Sequence, residues 1–100
     1  MTKGRGEREL EDFEKVFKAL AHESRRHVLA VLNGRGGRMT AGEIAGRFSH
    51  SWPTTTRHLR ILEDAGLVRV EQQGREWNYI LETKHLMSVV EGWLRWFKSE

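Results

Sequence analysis

The sequence predicts a mainly α-helical domain carrying one small β-hairpin, with helices and strands in the order helix, helix, helix, helix, strand, strand, helix. Three observations predict it. Residues 51–66, SWPTTTRHLRILEDAG, have a clear helical start and stop. Thr40 and Glu43 stand at capping-box spacing just ahead of them. Residues 68–81 then alternate apolar and polar side chains around a polar, glycine-containing centre.

Residues 1–8 mix Gly with Lys and Arg and offer nothing apolar to bury, which predicts a flexible basic arm ahead of a single domain over residues 9–98. From Leu10, the residues Phe13, Val16, Phe17 and Leu20 recur at helical spacing and give a first helix ending near Ala21. A second follows at once, with Val28, Leu29, Val31 and Leu32 as its buried stripe and Asn33-Gly34 as its end. The loop from Gly34 to Arg38 is basic and glycine-rich, but it lacks the lysine and hydroxyl that close a phosphate-binding loop.

A short third helix begins at Thr40, where Met39 can staple onto Ile44, and runs to Arg47 or Phe48. Ser49-His50 is a tight connection to the fourth. There Ser51 offers its oxygen to the open amides of the first turn, and Pro53 lies where a missing N–H breaks no helical bond. Gly66 supplies a left-handed stop. These two helices make a helix-turn-helix. Thr55, Leu59, Leu62 and Gly66 fall on the stripe of the fourth helix that faces a core, opposite Pro53, Thr56, Arg57, Arg60 and Asp64. Trp52 and Thr54 stand at its exposed start. Because Glu63 and Asp64 are held back to the far end, the helix suits an N-terminus-first approach to DNA.

The hairpin pairs Val68 and Val70 with Trp77, Tyr79 and Leu81 across a turn near Gln72 to Arg75. Thr83 is placed to cap a last helix, in which Leu86, Val89, Val90, Trp93, Leu94 and Phe97 form a wide stripe with Trp96 beside it. That is more apolar surface than the terminal helix of a 100-residue monomer needs, so a partner helix is expected.

Composition narrows the function classes. At 100 residues the chain buries roughly two thirds of its unfolded surface in one small core. The net charge of +3 permits a polyanionic partner. The cysteine count of zero excludes disulfides, thiolate metal sites and a thiol nucleophile. No apolar run approaches the ~18 residues of a membrane span and the N-terminus has no signal core, so a cytoplasmic location without membrane contact is expected. No catalytic triad or cofactor motif is present; Glu11/Asp12 and Glu63/Asp64 read as helix-surface charge, and neither an enzyme nor a bound cofactor is expected.

Together these elements resemble the ArsR/SmtB-type winged-helix transcriptional repressors over about residues 13–97. The strings that carry the resemblance are FKALAHESRR at 17–26, GEIA at 42–45, SWPTTTRHL at 51–59, LEDAGLV at 62–68, and Gly74 and Arg75 with Tyr79 in the wing. It implies a winged helix-turn-helix homodimer, joined through the first and last helices by Phe13, Val16, Phe17, Leu20, Leu86, Val89, Val90, Trp93, Leu94 and Phe97. Each subunit would set one recognition helix, residues 51–65, into the major groove of a palindromic double-stranded operator. Trp52, Thr54, Thr56 and Arg57 are the residues expected to read or approach base edges, with Arg60 and the wing residues Gln73 and Arg75 on phosphates or the adjacent minor groove and Ser51 also on the DNA-binding surface. His58, at the border of the inner face, is expected to bond a phosphate or a neighbouring helix.

The chain departs from the family at two points. Trp52 stands where many members have Gln, exchanging an amide contact to adenine for packing on a thymine methyl. Glu23 stands where many have Pro. The positions matching the family's metal sites are Thr40 and Gly42, which bind no soft metal, and Thr83-Lys84-His85 without a later His, so a branch that senses no metal is expected. His22, His27, His50 and His58 share no helical face at ligand spacing, and no motif identifies a small-molecule effector. The rival reading is a winged-helix module that binds protein and little or no DNA, using the exposed Trp52, Trp77 and Trp96.

Overall fold

The computed structural model describes residues 4–98. Its elements are α1 (Arg5–Leu20), α2 (Glu23–Gly34), β1 (Arg38–Thr40), α3 (Ala41–Gly46), α4 (Trp52–Asp64), β2 (Val68–Gln73), β3 (Glu76–Leu81) and α5 (Thr83–Leu94), closed by a single 3₁₀ turn over Arg95–Phe97. The fold is a mainly helical winged helix-turn-helix on a three-stranded antiparallel sheet of order β1-β3-β2.

Local chemistry sets most of the boundaries. The capping box at α3 is complete: the Thr40 side chain accepts from the Glu43 amide at 3.1 Å, and the Glu43 carboxylate accepts from the Thr40 amide at 3.0 Å. Those bonds hold the Glu43 carboxyl below the usual carboxylate range. Ser51 caps α4 by accepting from the Thr54 amide at 3.3 Å, with Pro53 in the first turn. At its other end Gly66 has φ +75°, a conformation that demands glycine, and a Cβ there would also crowd the His85 ring at 3.0 Å. The C-terminal carbonyls of α1 are met by arginines of α2. Arg25 donates to Ala19 and Lys18 at 2.8 and 3.0 Å, and Arg26 donates to Leu20 at 2.7 Å.

Four expectations change. Helix α1 begins at Arg5, so the second half of the expected arm is helical, while residues 1–3 lie outside the described residues. Glu7 in the first turn suits the positive end of the helix, and the long apolar stripe that follows lets the helix extend backward. The residue ahead of α5 is Glu82, and Thr83 is already helical with no side-chain cap. Helix α3 stops at Gly46, short of Arg47. Strand β1 adds a third member to the expected hairpin: Arg38, Met39 and Thr40 pair with Ile80, Tyr79 and Asn78 of β3.

The core lies where the helices meet the sheet. Val16 and Ala19 of α1, Leu32 of α2, Met39 of β1, Ile44 of α3 and Leu62 of α4 are all essentially sealed from solvent, with Leu67, Val68 and Val89 closing the sides. This cluster fixes how α4 and the β2–β3 wing are presented.

Candidate nucleic-acid interface

Helix α4 buries Thr55, His58, Leu59 and Leu62 and leaves Trp52, Pro53, Thr54, Arg57 and Arg60 exposed, with Thr56 half-buried. The inward set follows the predicted stripe with one addition, His58. The outward set surrounds a shallow cavity of about 450 Å³ lined by Trp52, Pro53, Thr56, Arg57, Arg60, Ile61 and Asp64. Gln73 and Arg75 stand exposed at the tip of the wing, where Gly74 takes φ +61° to make the turn. Among the described residues, none forms an ion pair or hydrogen bond with the side chains of Arg57, Arg60 or Arg75. Other arginines are committed. Arg35 pairs with Glu43 at 3.2 Å, Arg38 with Glu71 at 3.4 Å, and Arg69 with Glu82 at 3.0 Å and with Glu71.

Ser51 serves its own helix. Besides capping, its hydroxyl donates to Thr54 Oγ1 at 3.0 Å, which ties the two hydroxyls together at the exposed start.

His58 corrects the expectation that it faces a duplex. It is 8% exposed, and its Nδ1 lies 3.3 Å from an Arg25 guanidinium nitrogen, so of the two roles expected of it the bond to a neighbouring helix is the one formed. An arginine can only donate, which makes Nδ1 the acceptor and puts the ring proton on Nε2. His22 and His50 approach with ring centroids 4.6 and 5.7 Å away. Burial first, then the charges of His22, Arg25, His50 and Arg57, pushes the His58 pKa below the usual histidine value. Sequence spacing could not reveal this cluster, because its rings come from the N-cap of α2, the α3–α4 turn and the middle of α4.

The expected dimer residues divide. Phe13, Val16 and Val89 are buried inside the protomer and belong to its core. Phe17, Leu20, Leu86 and Val90 are half-buried against it. Trp93, Leu94 and Phe97 are exposed, joined by Leu10, Met87 and Trp96. An aromatic ladder runs from Phe17 to Trp93 at 5.1 Å and on to Phe97 at 4.9 Å, beside an open cavity of about 530 Å³. Leu10, Met87 and Trp96 are exposed apolar residues outside the expected set; of these, only Trp96 stands out in the sequence, as a large aromatic beside the stripe.

A capped helix with unpaired outward arginines, carried on a helix-turn-helix and flanked by a wing, defines a winged helix-turn-helix DNA-binding transcriptional regulator. Residues 20–71 match the family described as Helix-turn-helix domain. The chain is 37% identical to the transcriptional repressor SdpR of Bacillus subtilis over 84 residues, covering 84% of this chain and 91% of that one. The crystal structure of an ArsR family transcriptional regulator is similar at a TM-score of 0.77 and 33% identity, over 95% of this chain and 90% of that one. The fold is shared, at a TM-score of 0.71 and 22% identity over 99% and 93% of the two chains, with the homodimeric winged helix-turn-helix DNA-binding domain of a possible ArsR-family regulator from Mycobacterium bovis. The chain belongs to the ArsR family of helix-turn-helix transcriptional regulators, a family of regulators and not of enzymes. No helix among the described residues is long and apolar enough to cross a membrane.

Proposed function

We propose that the protein is a homodimeric repressor that reads a roughly palindromic operator through α4 and steadies itself with the wing. The observation that carries this reading is the outward face of α4, where Trp52, Thr54, Arg57 and Arg60 stand exposed and the arginines meet no acid among the described residues. Arginines left free on the outer face of such a helix are what neutralises the phosphates of a duplex. The bare apolar face of α1 and α5 supports the pairing, as do the homodimeric domain of similar fold and the repressor SdpR among relatives. Twofold symmetry then sets half-sites about 34–36 Å apart, or a small multiple of that spacing. Trp52, Thr54, Thr56 and Arg57 approach base edges, and Arg60, Gln73 and Arg75 meet phosphates or the minor groove. The absence of thiols, and the lack of a second histidine after His85 in α5, favour the branch that senses no metal.

Selection of bound duplexes from a random pool tests this directly, followed by gel shifts of Arg57→Ala across salt. If Arg57 pairs with guanine, the substitution costs about 1–3 kcal/mol and relaxes preference at one position per half-site. If it meets phosphate, all sequences weaken alike and the salt slope falls by about one unit. A dimer that enriches no duplex supports the protein-binding reading instead.

A further inference from the structure

A second cavity opens on the same side of the molecule, between the recognition helix and the wing, and its character differs from the first. It measures about 280 Å³ and is lined by Ala41, Trp52, Thr56, Leu59, Trp77 and Tyr79, without a charged side chain. Trp52 and Trp77 are 56% and 51% exposed, from the first turn of α4 and the start of β3. Two half-bare indoles converging on one cleft are a costly arrangement in water. Cations stand near the cleft: Arg57 and Arg60 line the neighbouring cavity that shares Trp52 and Thr56, and Arg75 is exposed in the wing turn, two residues before Trp77.

The reading proposed above places α4 in a major groove and the wing at the adjacent minor groove. One sugar-phosphate strand separates those grooves, so it must cross between α4 and the wing. We infer that the cleft is a seat for a deoxyribose of that strand, with Trp77 as its outer wall and the flanking phosphates drawn to Arg60 of α4 and Arg75 of the wing. The chemistry matches. The C2′ methylene and ring edge of deoxyribose are apolar, whereas a ribose would push its 2′-hydroxyl against indole. Trp77 thereby becomes a positioning residue, fixing how deeply each recognition helix enters its groove. This inference rests on the operator reading and goes beyond it.

The test uses the full-length protein and a duplex from the random-pool selection, in which each nucleotide is replaced in turn by its ribonucleotide. Wild type should bind about tenfold more weakly when the replaced sugar falls at one position in each half-site, and nearly unchanged elsewhere. Trp77→Ala should weaken the all-DNA duplex about tenfold at unchanged salt slope, and should erase the penalty at that position. Trp77→Phe should keep both affinity and penalty. Since Trp77 is a half-exposed wing residue, an unaltered thermal midpoint is the check that each variant folds.

A flat ribonucleotide scan in a wild type that binds its operator overturns the seat while leaving the operator reading intact. So does a salt slope that drops by about one unit in Trp77→Ala, which marks a phosphate contact. A Trp77→Ala loss confined to duplexes with one particular thymine overturns it too, in favour of a base-methyl contact. A wild type that binds no duplex overturns the operator reading and the seat with it.

Discussion

The outer face of α4 and the face made by α1 and α5 are both exposed, yet they are finished to different degrees. On α4 the helix end is capped by Ser51, the inner stripe is sealed by the core, and the outward polar groups are solvated. Its polar side chains need no covering. On the terminal helices Leu10, Met87, Trp93, Leu94, Trp96 and Phe97 are 40% to 71% exposed, and Leu10, Trp93, Trp96 and Phe97 of these line one open cavity beside an aromatic ladder. Apolar surface contributes roughly 25 cal/mol for each Å² taken out of water, so a contiguous patch of this kind is stabilised by being covered. The contrast teaches that folding alone finishes the outer polar face of α4, whereas it leaves apolar side chains of the terminal helices bare.

The largest effect should come from breaking the terminal surface. Leu94 is half-exposed at the C-terminal end of α5. Leu94→Glu should therefore fold as wild type does while placing two carboxylates in the expected dimer seam. Burial of an unpaired charge there should weaken dimerisation by roughly 3 kcal/mol, or about 100-fold. Sedimentation equilibrium reads the change. Gel shifts should show a palindromic duplex suffering more than an isolated half-site. A Leu94→Glu protein that remains dimeric at wild-type concentrations would remove the contrast between the two faces.

A capping substitution on the helix-turn-helix side should act more weakly and only on stability. Thr40→Ala removes one half of the capping box that starts α3, far from the terminal helices. About 1 kcal/mol of unfolding free energy should be lost, seen as a lower urea midpoint at unchanged m-value, with the dimer constant unaltered. A change in dimerisation would show that the two faces are coupled through the core.

How much of this was legible in the sequence follows from the range of the interactions. The capping box at Thr40 and Glu43, the Ser51 cap and the Gly66 stop are bonds between near neighbours, and their spacing alone announces them. The outward set on α4 followed from helical period, since a core must cover the opposite stripe. Strand β1 was invisible because three residues carry no readable alternation; its pairing depends on the free edge of β3, some forty residues later. The division of the terminal stripes was hidden too. Periodicity places Phe13, Val16 and Val89 on an apolar face but cannot say whether that face meets its own core or a second copy. The same limit applied to His58, which helical period puts at a border and only the approach of α2 and the α3–α4 turn turns into a buried acceptor.

That buried acceptor gives the smallest effect and the finest test of how α4 is held. Arg25 links the end of α1 to the inner face of α4: its guanidinium donates to Ala19 and Lys18 and meets Nδ1 of His58. His22 on the α2 side and His50 in the turn face the same ring, with Arg57 on its own helix, so the groups pressing on it are cationic or able to become so. Above the ordinary histidine pKa of about 6.5, His58 is neutral both folded and unfolded and contributes no pH dependence. As the pH falls through that value the unfolded chain takes up the proton first, because the folded pKa is depressed, and stability declines until the lower folded pKa is passed. Glu43 and Glu71, held below the usual carboxylate value by Thr40 and Arg69 respectively, lose their contributions only in a more acid range. His58→Gln keeps an oxygen able to accept from Arg25 and has no proton to gain. Its urea stability should therefore fall less than that of wild type between about pH 7 and pH 5.5, a window set by the depressed histidine. Parallel declines in the two proteins would mean that His58 is as free to charge in the fold as in the open chain, and that α4 is not anchored through it.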